Sequence, residues 1–306
     1  MRKILVSVFL FGIATAIAAQ TQPSADKIRQ DKILDIVRPG QKTVVGYMDT
    51  DLRISMQERV PPGQGSDSDA CMVINRIETW KPSETALIIC DMRDKHCCDS
   101  SNARFGKLAV ALNRVVEEAR RKGVKIVHAP SGCMDYYKNC PQRRKAKKYR
   151  NVKLSALANG DRLPSEENAV CPVAQPDKGC ESKECKLHKT WTKQTEALSI
   201  EKDDLISDSG AELGAYFKKK GIKNVILTGV DTDMSIMTHS FGLRAMKRMG
   251  MNVVLMRDMT GMMHNPEKAH SVDHCSGSGP MLEYIETYVC PSIVSADFTG
   301  AKSINN

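Results

Sequence analysis

The sequence predicts an α/β fold, a doubly wound and mostly parallel sheet with helices on both faces in three Rossmann-like layers. Residues 86–90 are apolar without interruption, as expected for a strand buried on both faces of a parallel sheet. Residues 103–122 repeat apolar side chains at helical spacing, stop at Gly123 and lead into a second apolar run at 124–127. Strand, helix and strand at this spacing indicate a βαβ unit with a right-handed crossover.

The same unit recurs in the second half of the chain. Helical patterns alternate there with short apolar runs, and they predict helices at 212–220, 234–249 and 280–288 and strands at 224–228 and 252–256. Ligands of open parallel sheets bind beyond the carboxyl ends of the strands. The residues to inspect are therefore Asp91, His128 and the segment 229–235.

The N-terminus reads as a signal peptide, with a basic start, an apolar run at 4–13 and small residues that place cleavage near Ala18. We therefore expect a secreted or periplasmic protein that has no membrane segment after cleavage. The predicted organisation is a signal peptide at 1–19, an extension at 20–84, a main domain at 85–295 and a tail at 296–306. The extension contains short hairpin strands near 43–47 and 72–77, and the main domain contains a long basic insertion at 129–195.

Eleven cysteines in an exported chain predict some disulfides, and the odd number leaves at least one thiol. Cys90 lies inside an apolar strand pattern, so we expect it to be a buried thiol. The better candidates for bridges lie near loops, and they are Cys97 or Cys98, Cys133, Cys140, Cys171, Cys180, Cys185, Cys275 and Cys290.

The net charge is +9, and the densest basic run is residues 143–150. Such a run can bind nucleic acid or anionic surfaces. Aromatic residues that could stack on bases are few, so we expect a solvated basic face, no nucleic-acid partner and a small-molecule substrate.

Two motifs carry a resemblance to a known family. Residues 87–94 (LIICDMRD) and 227–236 (LTGVDTDMSI) resemble the first-strand and nucleophile motifs of isochorismatase-like, nicotinamidase-related hydrolases of the cysteine hydrolase superfamily. The resemblance runs from about residue 85 to about residue 295 and is closest to an exported subgroup. Further matching features are His128–Ser131, Phe241–Arg244, Arg257-Asp258 and the pairs Ile285-Glu286 and Cys290-Pro291.

The resemblance implies catalytic roles for three residues. Asp91 matches the acid/base aspartate, and Lys202 matches the lysine that balances charge, with Lys193 as its competitor. Ser235 stands where most members have the nucleophilic cysteine. A cis peptide between Val230 and Asp231 is also implied, and Val230, Asp231 and Met234 would support the oxyanion or the substrate.

Ser235 leaves three hypotheses open, because a serine hydroxyl is barely ionised near neutral pH whereas cysteine is partly thiolate. Ser235 is a slow nucleophile, or Asp91 drives non-covalent acid/base hydrolysis, as in isochorismatases proper, or catalysis has been lost. We therefore predict hydrolysis of a small polar molecule with an amide or enol-ether bond. The alternative is an inactive small-ligand binding protein on the same fold, a pseudoenzyme.

Four polar residues are further pocket candidates: Asp94, His96, His128 and His274. Nicotinamidases hold a metal through an Asp-x-His pattern, which is missing after the second strand here, so we expect no metal and no other cofactor. The resemblance also implies a homo-oligomer, because family members often form dimers or tetramers.

Overall fold

A single sheet contains the eight strands found in the described part of the chain. The computed structural model describes residues 51–61, 71–96, 99–172, 191–261 and 279–300. The strands are β1 (Leu52–Val60), β2 (Met72–Trp80), β3 (Thr85–Cys90), β4 (Lys125–Ala129), β5 (Leu205–Ile206), β6 (Asn224–Val230), β7 (Asn252–Gly261) and β8 (Ser292–Ile293).

The strand order is β2-β1-β8-β7-β6-β3-β4-β5, and the six strands from β8 to β5 run parallel. Every residue of β3 and of β6 is buried, which explains why these strands lack the alternation of a half-exposed strand. Gly229 of β6 has a φ of 108°, and a Cβ there would lie 2.1 Å from the carbonyl oxygen of Cys90, so only glycine fits. The predicted doubly wound α/β fold is confirmed.

Helices cover both faces of the sheet. The helices are α1 (Asp99–Arg121), α2 (Met134–Tyr137), α3 (Pro141–Lys147), α4 (Val152–Ser155), α5 (Gly210–Lys220), α6 (Leu243–Arg248), α7 (Gly279–Tyr284) and α8 (Ala296–Thr299). Leu112 of α1 packs in one apolar layer with Leu87, whereas Phe217 of α5 packs in the other with Ile88. Successive β3 side chains thus serve opposite layers.

The extension before residue 85 contributes two antiparallel strands to the main sheet. β1 pairs with β2 along nine residues and meets β8 at Gln57 and Ser292. Ile54 and Met56 of β1 are buried in the same layer as α1, so these strands belong to the main core. The predicted strand at 72–77 falls within β2, whereas 43–47 and the signal peptide lie outside the described residues.

The insertion is tied to the core by a buried ion pair. Glu166, fully buried, accepts two hydrogen bonds from Arg244 of α6, with Nη2 2.7 Å from Oε1 and Nε 3.0 Å from Oε2. Tyr284 donates to the same carboxylate at 2.8 Å. Burial acts to raise the pKa of Glu166, but the hydrogen bonds, chiefly from Arg244, bring the pKa below its usual value. A long segment without clear periodicity is therefore fixed by specific polar contacts.

The helix predicted at 234–249 is interrupted. One π-helical turn covers Thr232–Ile236, the chain bends near residues 239–242, and α6 follows. The hydroxyl of Ser240 donates to the carbonyl of Asp208 and accepts from the amide of Gly210, so the bend is anchored to the start of α5. The helix predicted at 280–288 is α7 followed by a π-helical turn over Ile285–Val289.

The cysteines of the described residues do not bear out the bridges predicted among them. Cys133, Cys140, Cys171 and Cys290 are present as thiols, as is Cys71. Cys90 is a buried thiol, as expected, and burial raises its pKa. The remaining candidates, Cys97, Cys98, Cys180, Cys185 and Cys275, lie outside the described residues. No helix in the described ranges has the length and apolar character needed to cross a bilayer.

Candidate active site

Asp91 is the centre of a polar cluster at the carboxyl edge of the sheet. It follows β3 directly, its side chain is fully buried, and its amide donates to the carbonyl of Ala129 at 3.2 Å. Its backbone has a φ of 44°, in the left-handed region that few residues other than glycine adopt. The backbone there turns sharply as the strand ends.

Three neighbouring groups hold the carboxylate of Asp91. The amide and the hydroxyl of Ser131 donate to Oδ1 and Oδ2 at 2.6 and 3.0 Å. A guanidinium nitrogen of Arg93 lies 2.8 Å from Oδ2, and Nε2 of His239 lies 3.2 Å from the same oxygen. The loops after β3, β4 and β6 therefore supply one shared site, as parallel topology predicts.

The charge on Asp91 follows from this environment. Burial acts to raise its pKa, but hydrogen bonds from His239 and Ser235 and the positive charge of Arg93 lower it below the usual value. Asp91 is therefore a carboxylate at neutral pH. A carboxylate in this state accepts protons and stabilises positive charge, and it is a poor proton donor.

Arg93 is held between Asp91 and an aromatic ring. Its Nη2 donates to the hydroxyl of Ser131 at 2.6 Å, and its guanidinium carbon lies 4.0 Å from the centroid of the Trp191 ring. Its Nε is buried and has no hydrogen-bond partner within the described residues. This guanidinium is the cation that contacts the site aspartate.

The predicted nucleophile turn has the expected backbone. The peptide between Val230 and Asp231 is cis, which confirms that part of the resemblance. Val230, Asp231 and Ser235 are buried, whereas the side chain of Met234 is exposed. The side chain of Ser235 contributes to lowering the pKa of Asp91, so the two residues lie near each other at the carboxyl edge of the sheet.

His239 is a site residue that the sequence analysis did not single out. It lies four residues after Ser235, near the end of the same helical segment, and its Nε2 is 3.2 Å from both Asp91 and the hydroxyl of Ser131. Its ring packs on Phe241 with centroids 5.0 Å apart, and the side chain is 36% exposed. The spacing of four residues was the available signal, since such residues share a helix face.

The predicted lysines lie elsewhere. Lys202 is exposed and precedes β5, and the carbonyl of its neighbour Asp203 accepts from Lys125, which starts β4. Lys202 therefore lies at the amino edge of the sheet, opposite Asp91. Lys193 lies near the carboxyl edge, but its ammonium pairs with Glu196. Arg93 takes the place beside Asp91 that the sequence analysis gave to a lysine.

The other polar candidates have structural partners. His128 is fully buried, with Nδ1 3.0 Å from Gln194 and Nε2 3.1 Å from Asp204. Asp94 accepts from the amide and the hydroxyl of Thr192 at 2.9 and 2.7 Å, which fixes the loop that carries Trp191.

His96 packs edge-on against Phe105, with ring centroids 4.6 Å apart. Burial, helped by the charge of Arg93, lowers the pKa of His96 to about 4. His274 lies outside the described residues. Within the described ranges, no three histidine, cysteine or acidic side chains converge as metal ligands would.

The isochorismatase domain model matches residues 85–283, which include every residue of the Asp91 cluster. The chain belongs to the isochorismatase family. Its sheet and helices form the isochorismatase-like α/β fold. No curated protein matches the chain in sequence.

Several solved structures resemble this family member at low identity. A cysteine hydrolase from Pseudomonas syringae pv. phaseolicola 1448A is 15% identical with a TM-score of 0.43, over 71% of this chain and 91% of that chain. An isochorismatase from Pseudomonas putida KT2440 is 13% identical with a TM-score of 0.42, over the same shares. A pyrazinamidase of Pyrococcus horikoshii in complex with zinc is 16% identical with a TM-score of 0.35, over 65% of this chain and 96% of that chain.

Proposed function

We propose that this isochorismatase-family protein hydrolyses a small polar molecule that carries an amide or enol-ether bond. The observation that supports the proposal is one buried and ionised carboxylate, Asp91, whose Oδ2 lies 3.2 Å from Nε2 of His239 and whose pKa is also lowered by the side chain of Ser235. The serine at the nucleophile position, the negative charge of Asp91 and the imidazole of His239 thus stand at the edge of the sheet where parallel sheets bind their ligands.

The charge state of Asp91 determines its role. Because its pKa is lowered, Asp91 is a fixed negative charge, and a different group must donate the proton. His239 is that group in our proposal, since imidazole is the side chain suited to carry protons near neutral pH. A protonated His239 would form an ion pair with Asp91 across 3.2 Å.

For an enol ether, the proton moves from His239 to the vinyl carbon. The oxocarbenium ion that forms is stabilised by the carboxylate of Asp91, and water adds to its carbon. The proton of that water returns to His239, and the hemiketal separates into a ketone and an alcohol. For an amide, neutral His239 takes the proton of the attacking water as its oxygen bonds to the carbonyl carbon, and it passes that proton to the amine nitrogen as the C–N bond breaks. If Ser235 attacks in place of water, His239 takes the proton of its hydroxyl in the same way, and a water then hydrolyses the acyl-serine to release the acid.

Ser235 has a supporting role in the preferred scheme. A serine hydroxyl needs a strong base to become a nucleophile, and the carboxylate of Asp91 is made weaker by Arg93. In our scheme the side chain of Ser235 instead helps to keep Asp91 ionised, because it lowers the pKa of that carboxyl. Serine at this position therefore fits water as the attacking group better than a covalent intermediate.

The test is turnover of a panel of small amides, nicotinamide included, and of isochorismate by the full chain. Wild type is compared with Asp91→Asn, His239→Gln and Ser235→Ala, and with Lys218→Gln, an exposed lysine of α5, as the control. We expect Asp91→Asn and His239→Gln to lose about 100-fold in kcat, the usual size of acid/base effects. Ser235→Ala should retain most of the activity.

Other results have clear meanings. If Ser235→Ala is as inactive as Asp91→Asn, serine is the nucleophile and the covalent scheme replaces ours. If no compound is turned over but some raise the melting temperature of wild type, the inactive binding protein becomes the better description.

A further inference from the structure

A second concave site lies beside the start of α5. It is an open cavity of about 450 Å³, lined by Arg143, Lys147, Arg150, Ser155, Ser209, Ala211 and Glu212. None of these residues belongs to the Asp91 cluster. The volume is within the range of small-molecule sites, which is about 300–1,000 Å³.

The basic run at 143–150 does not form the uniformly solvated face that the sequence predicts. Arg143 is buried and pairs with both carboxylate oxygens of Glu212, which also accepts from Ser207 at 2.6 Å. Burial acts to raise the pKa of Glu212, but the hydrogen bonds and charge of Arg143 bring it below its usual value. One wall of the cavity is thus a fixed ion pair, in which the charges of Arg143 and Glu212 cancel.

Two further cations of the lining have no direct ion pair among the described residues, although the charge of Lys147 helps to lower the pKa of Glu212. Lys147 and Arg150 are exposed at the cavity, and neither side chain forms an ion pair with any described residue. Nearby Lys145 and Arg144 are occupied, since Lys145 donates to the carbonyl of Asp203 and Arg144 to that of Asn139. Lys147 and Arg150 are the two cations of the run that bring positive charge without an ion-pair partner to this cavity.

Hydroxyl donors complete the lining. Ser209 accepts a hydrogen bond from the amide of Glu212 at 3.4 Å, which leaves its own proton available for another acceptor. Ser155 contributes a second hydroxyl to the lining, and its present acceptor is the carbonyl of Asn151 at 3.5 Å. Guanidinium, ammonium and hydroxyl groups around one cavity match the oxygens of a tetrahedral oxyanion.

We propose that this cavity binds the phosphate group of a small phosphorylated molecule, with Lys147 and Arg150 as its charged contacts. The volume suits one or two phosphate groups with a small organic part and is too small for a folded polymer. The amide of Gly210, beside Ser209, hydrogen-bonds to Ser240, the neighbour of His239. One hydrogen bond therefore links the edge of this cavity to the loop that carries His239, although ligand binding does not depend on the proposed activity.

Isothermal titration of the full chain with inorganic pyrophosphate, and separately with inorganic phosphate, tests the proposal. We expect saturable binding at one site per chain, with a Kd of about 1 mM or tighter for pyrophosphate. Lys147→Ala/Arg150→Ala should weaken binding at least about tenfold, because two charge-assisted contacts are lost. The matched control Lys218→Ala/Lys219→Ala removes the same charge from exposed positions near the end of α5 and should leave Kd within about twofold.

The proposal is overturned if pyrophosphate shows no saturable binding, or if the control pair weakens it as much as the cavity pair. It is also overturned if a single-stranded oligonucleotide binds at 143–150 while pyrophosphate does not compete. Melting curves of both double variants check that each is folded. Because binding is measured without turnover, an inactive Asp91 site would leave this result unaffected.

Discussion

The guanidinium of Arg93 lies 2.8 Å from the carboxylate of Asp91, two residues earlier in the chain. The strand has ended between them, so the backbone can bring both side chains to one point. Trp191 lies against the guanidinium and helps to fix its plane. A single short segment thus supplies the anion of the site and the cation that keeps it ionised.

Removal of Arg93 should therefore impair the site more than removal of the predicted lysine. We expect Arg93→Met to lower kcat/KM by about 100-fold and Arg93→Lys by about tenfold, because lysine cannot reproduce the planar contacts to Ser131 and Trp191. Lys202→Met should change it less than twofold. Steady-state kinetics on the best substrate of the panel measures kcat/KM for all three variants. If Lys202→Met loses most of its activity while Arg93→Met stays normal, Lys202 and not Arg93 is the functional cation.

Ser235→Cys tests whether the turn at 232–236 retains amidase geometry. A thiol is far more acidic than a hydroxyl, so the carboxylate of Asp91 is a more adequate base for it. We expect Ser235→Cys to gain turnover of a small amide by at least about tenfold over wild type. Mass spectrometry should then detect an acyl-enzyme. Loss of all activity without an adduct would show that the turn lacks the geometry for thiol attack.

Acid should destabilise the fold through His96. Its pKa is near 4 in the folded state against 6.5 for the ordinary side chain, so the unfolded chain binds the extra proton between these values. Stability is therefore complete above pH 6.5 and falls as the pH drops towards 4, by up to about 3 kcal/mol from this one group.

His96→Phe keeps a ring against Phe105 and removes the titration. Urea unfolding at several pH values should show a shallower acid decline in this variant than in wild type. Parallel curves for the two proteins would mean that His96 titrates normally when folded.

The ion pair between Glu166 and Arg244 should be strongly coupled. Arg244→Met leaves a fully buried carboxylate without its cation, which we expect to cost about 3–5 kcal/mol in the free energy of unfolding. Arg244→Met/Glu166→Gln removes the charge as well and should recover part of that loss. A double-mutant cycle by urea unfolding measures the coupling, and strictly additive effects would refute it.

Much of the sheet could be predicted because buried strands and helix ends leave local patterns in the sequence. The runs at 86–90 and 224–228 are apolar throughout, and each glycine after a helical pattern marked an end, as Gly221 does with a φ of 71°. The interruption near residue 240 could not be predicted. It depends on a contact between Ser240 and the start of α5, which is thirty residues earlier in sequence.

The site was predictable where a residue directly follows a strand and less so elsewhere. Asp91 follows β3 directly, and Ser235 lies in the first turn after β6, so the topology alone places both at the carboxyl edge of the sheet. The role of Arg93 could not be predicted locally, because it depends on Trp191, about one hundred residues away. His239 has no local signal beyond its spacing from Ser235, and no local pattern reveals the path of the segment that carries Lys202.

The groups around Asp91 all stand on segments beyond strand ends, while the two apolar layers that stabilise the sheet lie between the strands and the helices. A change of one site side chain, such as Ser235→Cys, therefore removes no residue of either apolar layer. Single substitutions at the site can thus change its chemistry while the sheet and its two apolar layers stay in place. The stability of the fold therefore does not depend on which reaction the site supports.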